Sequence, residues 1–288
     1  MKFVSARTWG AVSVLNAIPT GIGCAFGVDM PVIADASVKA KRRDQSKIDP
    51  LIRACVEMVS RHASASFDPS RIDVRVRSSI PRSMGLKSSS AVSNAVCLAL
   101  NELFELGLGM IDCVNLAVDA SMAAGVTVTG AFDDACASMF GRACVTDNVK
   151  RIIIAEYEVP KWSILVFIPR GSKPRPKSSI DISKFRFNRN DYLRAMRLAK
   201  KGKLIEATNI NGILTAKAVG DDVKVIEEVV SAGALAGGTT GTGPAMAFVF
   251  GEGDSNSINN AGRILKGKGK VILTRPARKE AEVKKNVK

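Results

Sequence analysis

The apolar positions change period several times along this chain, and each change predicts an element. Residues 3–38 mix Val, Ile, Ala and Gly and read as the early strands of a mixed sheet. The turn PTGIG, residues 19–23, interrupts them. Its glycines serve a positive φ or a close approach to another group, and a plain hairpin is the simpler reading. Asn16 and Asp29 flank this turn and either face a ligand or cap a loop. Residues 40–47, AKRRDQSK, form a charged loop. From Pro50 to Arg61, Leu51, Ile52, Cys55, Val56 and Val59 share one face of an amphipathic helix. Residues 71–77, RIDVRVR, alternate strictly and predict a half-buried strand.

The stretch from Pro81 to Leu106 organises the rest. It opens hydroxyl-rich and basic, with Arg82, Ser83, Gly85, Lys87, Ser88, Ser89 and Ser90. From Ala91 the apolar residues Val92, Ala95, Val96, Ala99, Leu100, Leu103 and Phe104 take helical spacing. A flexible loop therefore runs straight into a helix N-terminus, where unpartnered backbone N–H groups and the positive end of the macrodipole favour a phosphate. A serine-capped helix after an ordinary loop is the alternative. A second helix is predicted from Met110 to Ala124, ended by Gly125. Beyond it, Asp133 and Asp134 follow a glycine turn and precede the small residues ACAS. Such a carboxylate can accept a proton, hold a metal or orient a hydroxyl, or the pair simply caps a helix in solvent.

A change of composition at 145–150 predicts a domain boundary, giving units at 1–150 and 151–288. RIIIAEYEV and KWSILVFIPR read as strands. Residues 171–190 form a long basic loop with two prolines, the kind of segment that serves as a lid or binding loop. Helices are predicted from Asn190 or Asp191 to Lys201, at 203–218, at 221–231 and at about 255–266, with strands at 245–250 and 271–274. Gly237, Gly238, Gly241 and Gly243 make a second glycine-rich loop. The terminal EAEVKKNVK reads as solvated or frayed.

Composition narrows the function. The chain has 288 residues, 46% hydrophobic and 24% charged, enough for two domains with a substantial core. No apolar run approaches the ~20 residues of a membrane span, and the broken N-terminal segment is a poor signal peptide. Six cysteines without a CxxC pair argue against zinc and fit a reducing cytoplasm. Cys97 and Cys113 read as buried thiols. The single histidine, His62, has no partners for a Ser–His–Asp mechanism nearby. A net charge of +15 favours anionic partners such as nucleotides or acidic metabolites, part of it reflecting the basic tail. Few aromatics weaken an RNA-binding reading. Neither GxxxxGK[ST] nor a strand–GxGxxG–helix fingerprint is present, so a nucleotide would be held by another kind of loop.

PRSMGLKSSSA is similar to the phosphate-binding motif of the GHMP kinases, roughly P-x-x-x-G-L-x-S-S-x-A. GGTTGTGPA resembles the family's C-terminal glycine-rich loop, and TGAFDD supplies its G-x-x-D element through Gly130 and Asp133. The three motifs, in order, span nearly the whole chain. Within the family the sequence most resembles the archaeal-type shikimate kinases, on GLKSSSAVSNA, LNAIPTGIGCAFGVD and VTVTGAFDDACAS. It departs from the general motif at Lys87, where relatives often have Gly, and at Ser83, where Gly is usual.

The resemblance implies an α+β, two-domain fold, with an N-terminal domain like the second domain of ribosomal protein S5 and a ferredoxin-like C-terminal domain. It implies ATP-dependent phosphorylation of the 3-hydroxyl of shikimate, a step toward chorismate and the aromatic amino acids, with magnesium, in the cytoplasm. Carried over by position, Pro81, Arg82, Ser83, Met84, Gly85, Leu86, Lys87, Ser88, Ser89, Ser90 and Ala91 would hold ATP. Ser89 and, more loosely, Asp119 would hold magnesium. Asp133 would be the catalytic acid position, with Asp134 as fallback, and Asn16, Asp133, Thr240 and Gly241 would meet the substrate. The substrate carboxylate calls for a cation, for which Arg170, Arg175 and Lys177 are candidates. The expected partners are ATP and a small molecule, with no nucleic acid or membrane, in a monomer or homodimer. Two competing readings are a GHMP kinase for another alcohol, such as homoserine or mevalonate, and a basic RNA-binding protein with an S5-like domain.

Overall fold

In the computed structural model, which describes residues 2–62, 68–127 and 129–287, two antiparallel sheets carry the helices. In chain order come β1 (Lys2–Leu15), β2 (Ile22–Val38), α1 (Pro50–His62), β3 (Ile72–Ser78), α2 (Ser88–Leu103), α3 (Met110–Ala123), α4 (Phe132–Phe140), β4 (Ala143–Asp147), β5 (Ile152–Tyr157) and β6 (Ser163–Pro169). There follow α5 (Ile182–Phe187), α6 (Arg189–Ala199), α7 (Leu204–Val219), α8 (Val223–Ser231), β7 (Ala236–Thr239), β8 (Met246–Phe250), α9 (Ser255–Leu265), β9 (Gly269–Thr274) and β10 (Glu282–Val287).

The first sheet runs β10-β1-β2-β4-β5, with β3 beside the far half of β2, and the second runs β7-β8-β6-β9. The long strand β2 holds both β3 and β4 on one edge, pairing Val32–Val38 with β3 and Ile22–Phe26 with β4. Helices α2 and α4 pack on β1 and β2, while α7 packs on both β1 and β7 and so ties the sheets together. Leu15, Phe26, Leu86, Leu100, Phe132 and Met139 anchor the main core under the first sheet. Leu165, Phe167, Ile226, Phe248, Phe250 and Leu265 form a smaller one between the second sheet and α8 and α9. No helix of the described residues is long and apolar enough to cross a membrane. All six cysteines are buried and unpaired, and His62 is exposed at the end of α1.

Several local expectations change. Residues 282–287 are not frayed: β10 pairs with β1 from Lys2↔Val287 to Arg7↔Glu282, so EVKKNV finds a sheet edge. Gly237 and Gly238 belong to strand β7 rather than to a loop. A Cβ on Gly238 would collide with Gly212 of α7, so bare backbone on both sides lets helix and strand close up. The basic loop contains a short helix, α5, capped by Asp181, whose side chain accepts from the Ser183 N–H. The helix expected from Asn190 starts at Arg189. The division expected near residue 150 falls in the turn between β4 and β5, which pair with each other. The chain passes to the second sheet between Tyr157 and Ser163, and β10 returns it to the first.

Gly238→Ala is expected to destabilise the fold by about 1–3 kcal/mol through overpacking against α7. Gly262→Ala, in α9 with open space around it, is expected to be neutral or to stabilise by up to ~1 kcal/mol. Thermal unfolding of the two variants measures both effects.

Candidate functional site

Three chain segments that are remote in sequence are stitched together at the end of β1. The loop before α2 lies against the turn after β7: the Ala245 N–H donates to the Met84 carbonyl at 3.0 Å, and the Thr240 hydroxyl to the Gly85 carbonyl at 3.3 Å. Gly85 has φ +90°, and a Cβ there would collide with the Thr240 carbonyl, so both its conformation and its packing require glycine. From β1, the Ser13 N–H donates to Thr240 Oγ1 at 3.0 Å, and Ser13 Oγ accepts from the Gly241 N–H at 3.0 Å. Asn16 Nδ2 donates to the Gly241 carbonyl at 3.0 Å.

This joint aims the N-terminus of α2 into a cavity of about 350 Å³. Lys87 stands at the cap position with φ +62° and provides no side-chain cap, so the first-turn N–H groups keep their donor capacity for a ligand. The hydroxyls of Ser88, Ser89 and Ser90 belong to the same wall.

The opposite wall is the start of α4. Gly130 and Ala131 both take left-handed backbone, at φ +79° and +51°, turning the chain so that Asp133 and Asp134 lie in the helix's first turn. Both are buried. Asn148 holds Asp133 from two sides: its Nδ2 donates to Asp133 Oδ1 at 2.7 Å, and its Oδ1 accepts from the Asp133 N–H at 3.1 Å. Gly23 of β2 makes room for the carboxylate, because a Cβ there would overlap it. Burial pushes the Asp133 carboxyl up to about 7, and the neighbouring Asp134 adds to the rise. Lys87 and the Asn148 hydrogen bond act in the opposite sense. Such a carboxyl can take a proton from an alcohol near neutral pH.

Lys87 links the two walls. Its Nζ lies 2.9 Å from Asp134 Oδ1, with both side chains largely buried. The ammonium is close but not aligned, so that oxygen has no hydrogen-bond donor of good geometry. The third side is the basic loop. Arg175 lies on the cavity wall, donates to the Thr242 carbonyl at 2.9 Å and pairs with the buried Asp221, which also accepts from Thr239 Oγ1 at 2.7 Å.

Several expected site residues face elsewhere. Ser83, Gly85, Lys87, Ser88, Ser89, Ser90, Asn16, Asp133, Asp134 and Gly241 line the cavity. Pro81, Arg82, Met84, Leu86 and Ala91 do not. Leu86 and Ala91 are core residues, and Arg82 pairs with Asp49 at 3.2 Å on the surface. Thr240 is buried in the joint, off the wall. Asp119 also lies off the wall, paired with Arg151 at 2.5 Å. Arg170 is not on it either, and the Lys177 side chain lies outside the described part. Ser13, Ser121, Thr129, Thr242 and the support from Asn148 and Asp221 went unforeseen. They sit in ordinary strand, helix and loop contexts; only the fold brings Ser13, Ser121, Thr129 and Thr242 to the cavity and sets Asn148 and Asp221 behind its lining.

A helix terminus prepared for phosphate, set across one cavity from a buried carboxylate of raised proton affinity, is the arrangement of a small-molecule kinase. The family model of the GHMP kinases N terminal domain matches residues 50–142. A shikimate kinase of Methanothrix thermoacetophila is 36% identical over 267 residues, covering 91% of this chain and 91% of the relative. One from Methanothermobacter thermautotrophicus is 34% identical over 273 residues, covering 91% and 92%. Among solved structures, Lactococcus lactis galactokinase complexed with galactose superposes with a TM-score of 0.76 at 12% identity, covering 97% of this chain and 95% of that one. L. major mevalonate kinase in complex with R-mevalonate gives 0.70 at 15%, covering 96% of each. The chain belongs to the GHMP kinases, and within them to the archaeal-type shikimate kinase family.

Gly23→Ala is expected to displace the Asp133 carboxylate and lower kinase turnover at least tenfold while cooperative thermal unfolding is retained. Asn148→Ala removes a hydrogen bond that favours the ionised carboxylate, so the Asp133 titration is expected to move above 7. Carbon-detected NMR of labelled aspartate measures that shift.

Proposed function

We propose that this kinase transfers the γ-phosphoryl group of ATP to the 3-hydroxyl of shikimate, giving 3-phosphoshikimate and ADP. The observation that carries the reaction is the Asp133 carboxylate, buried and held by Asn148, on the same cavity as the α2 N-terminus. The substrate assignment rests on relatives of this similarity being shikimate kinases over nine-tenths of the chain.

In this reading the triphosphate lies on the N–H groups and hydroxyls of Ser88 to Ser90, with Ser83 and Gly85 beside it. Transfer demands positioning and charge neutralisation more than covalent chemistry. The α2 terminus and the Lys87 ammonium supply fixed positive charge where the transferred group becomes more negative. Asp133 orients the hydroxyl and takes its proton. The new oxygen–phosphorus bond forms as the bond to the ADP oxygen breaks. Arg175, clamped on Asp221 and the Thr242 carbonyl, has further N–H groups to offer the substrate carboxylate.

The oxygen-only donors on the wall, hydroxyls and carboxylates, suit a hard cation such as magnesium. Among the described residues no cluster of three metal-ligating side chains occurs, which fits an ion carried largely by phosphates and water. Ser89 is the proposed protein ligand; Asp119, turned toward Arg151, is not. When bound, the ion would neutralise phosphate charge.

The base form of Asp133 is the carboxylate, so kcat/KM for shikimate is expected to rise with pH up to an inflection near 7 and then level off. Asp133→Asn is expected to lose roughly 10²–10⁴-fold in kcat while ATP still binds. Full activity in that variant removes the base. ADP release with magnesium and ATP, compared across shikimate, homoserine, mevalonate and galactose, tests the substrate. Turnover with shikimate alone is expected, and turnover only with another alcohol overturns the assignment. Silence with all four, together with salt-sensitive RNA binding, favours the S5-like RNA-binding reading.

A further inference from the structure

We infer that Asp221 is a positioning residue: by fixing the Arg175 guanidinium at the cavity, it makes the kinase select a substrate that carries a carboxylate. This role rests on the proposed contact of Arg175 with the substrate carboxylate. Asp221 has a fixed seat. Gly220, at φ +76°, ends α7, and the Asp221 N–H donates back to the Ala216 carbonyl at 2.9 Å. The Asp221 side chain is only 6% exposed. A carboxylate so deeply buried needs its oxygens satisfied. Oδ2 accepts from Thr239 Oγ1 at 2.7 Å and from Arg175 Nη1 at 3.3 Å, and Oδ1 accepts from Arg175 Nη2. Gly243 leaves room for the pair, since a Cβ there would overlap both Arg175 Nη1 and Asp221 Oδ2.

Arg175 comes from the loop between β6 and α5. Pro174 and Pro176 flank it and line the cavity with it. Proline fixes its own φ and holds the preceding residue extended, so Arg175 sits on a stiff stretch of chain. A guanidinium has five N–H donors. Nη1 uses its two on the Thr242 carbonyl, at 2.9 Å, and on Asp221, and Nη2 uses one on Asp221. The Nε–H and the second Nη2–H, which lie side by side, have no acceptor among the described residues. That edge matches the two oxygens of a carboxylate. Asp221 also offsets the charge of the arginine. The field alone therefore holds an anion weakly, and the alignment of the free edge decides. Neither Asp221 nor Thr239 lines the cavity, so both act through Arg175.

The test compares kcat/KM for shikimate with kcat/KM for its neutral methyl ester, with magnesium and ATP. The native kinase is expected to prefer shikimate by about tenfold or more, the loss of a charge-assisted contact, and Arg175→Met to abolish that preference. Asp221→Asn is expected to raise KM for shikimate about tenfold or more, with little change in kcat, and to level the two substrates. Thr239→Val keeps every charge and removes only the hydroxyl that holds Asp221, and is expected to weaken the preference in the same direction. A ratio of two substrates does not depend on how much of a variant is folded, so a merely structural role leaves it unchanged. A preference retained in Asp221→Asn, or a lower KM for shikimate in that variant, overturns the inference. A native kinase that turns over shikimate no better than the ester overturns the Arg175 contact, and the role of Asp221 with it. One silent on shikimate but active on another alcohol overturns the proposed substrate instead.

Discussion

The rest of the molecule depends on one close approach of two backbones. The loop at Gly85 meets the turn at Thr240–Gly243 closely enough that a Cβ on Gly85 would collide with the Thr240 carbonyl, and Ser13 and Asn16 of the β1 end pin the turn in place. Each segment belongs to a different part of the sequence, and their hydrogen bonds link residues more than 150 positions apart. Because α7 also bridges the sheets, helix α2 and the glycine-rich turn have a common footing. A side chain at Gly85 would push the two loops apart and turn the α2 terminus away from Asp133.

The wall that carries Asp133 is built on the same economy of side chains. Gly23 leaves room for a carboxylate, Gly130 and Ala131 turn it inward, and Asn148 locks it. The first helical turn favours negative charge, yet burial outweighs that and holds Asp133 near neutrality. Lys87 spans from one wall to the other and meets Asp134. The loop before α2 and the carboxylate pair are thereby joined by one ion pair between largely buried side chains.

Much of this was legible in the sequence. The change from Ser and Gly to helical spacing at Ala91 marked α2, and the strict alternation of RIDVRVR marked β3. Of the two alternatives read into PTGIG, a positive φ or a close approach, Gly21 shows the first and Gly23 the second. What stayed hidden depends on distant partners. EVKKNV looks solvated until β1 offers it an edge, and Gly237–Gly238 look like a loop until Gly212 gives them a bare helix face to pack against. Arg175 could not be separated from Arg170 by pattern, because only the fold sets one of them on the cavity with Asp221 behind it. Thr240 and Asp119 have the right chemistry for a site, but one fastens the joint and the other pairs with Arg151.

Phosphorus NMR of the product formed from shikimate, magnesium and ATP bears most directly on the proposed chemistry. A new phosphomonoester signal coupled to the proton on carbon 3 of the ring, formed in step with ADP and lost with Asp133→Asn, is the predicted result. Phosphate on another ring oxygen, or ATP cleaved only to inorganic phosphate, would contradict it.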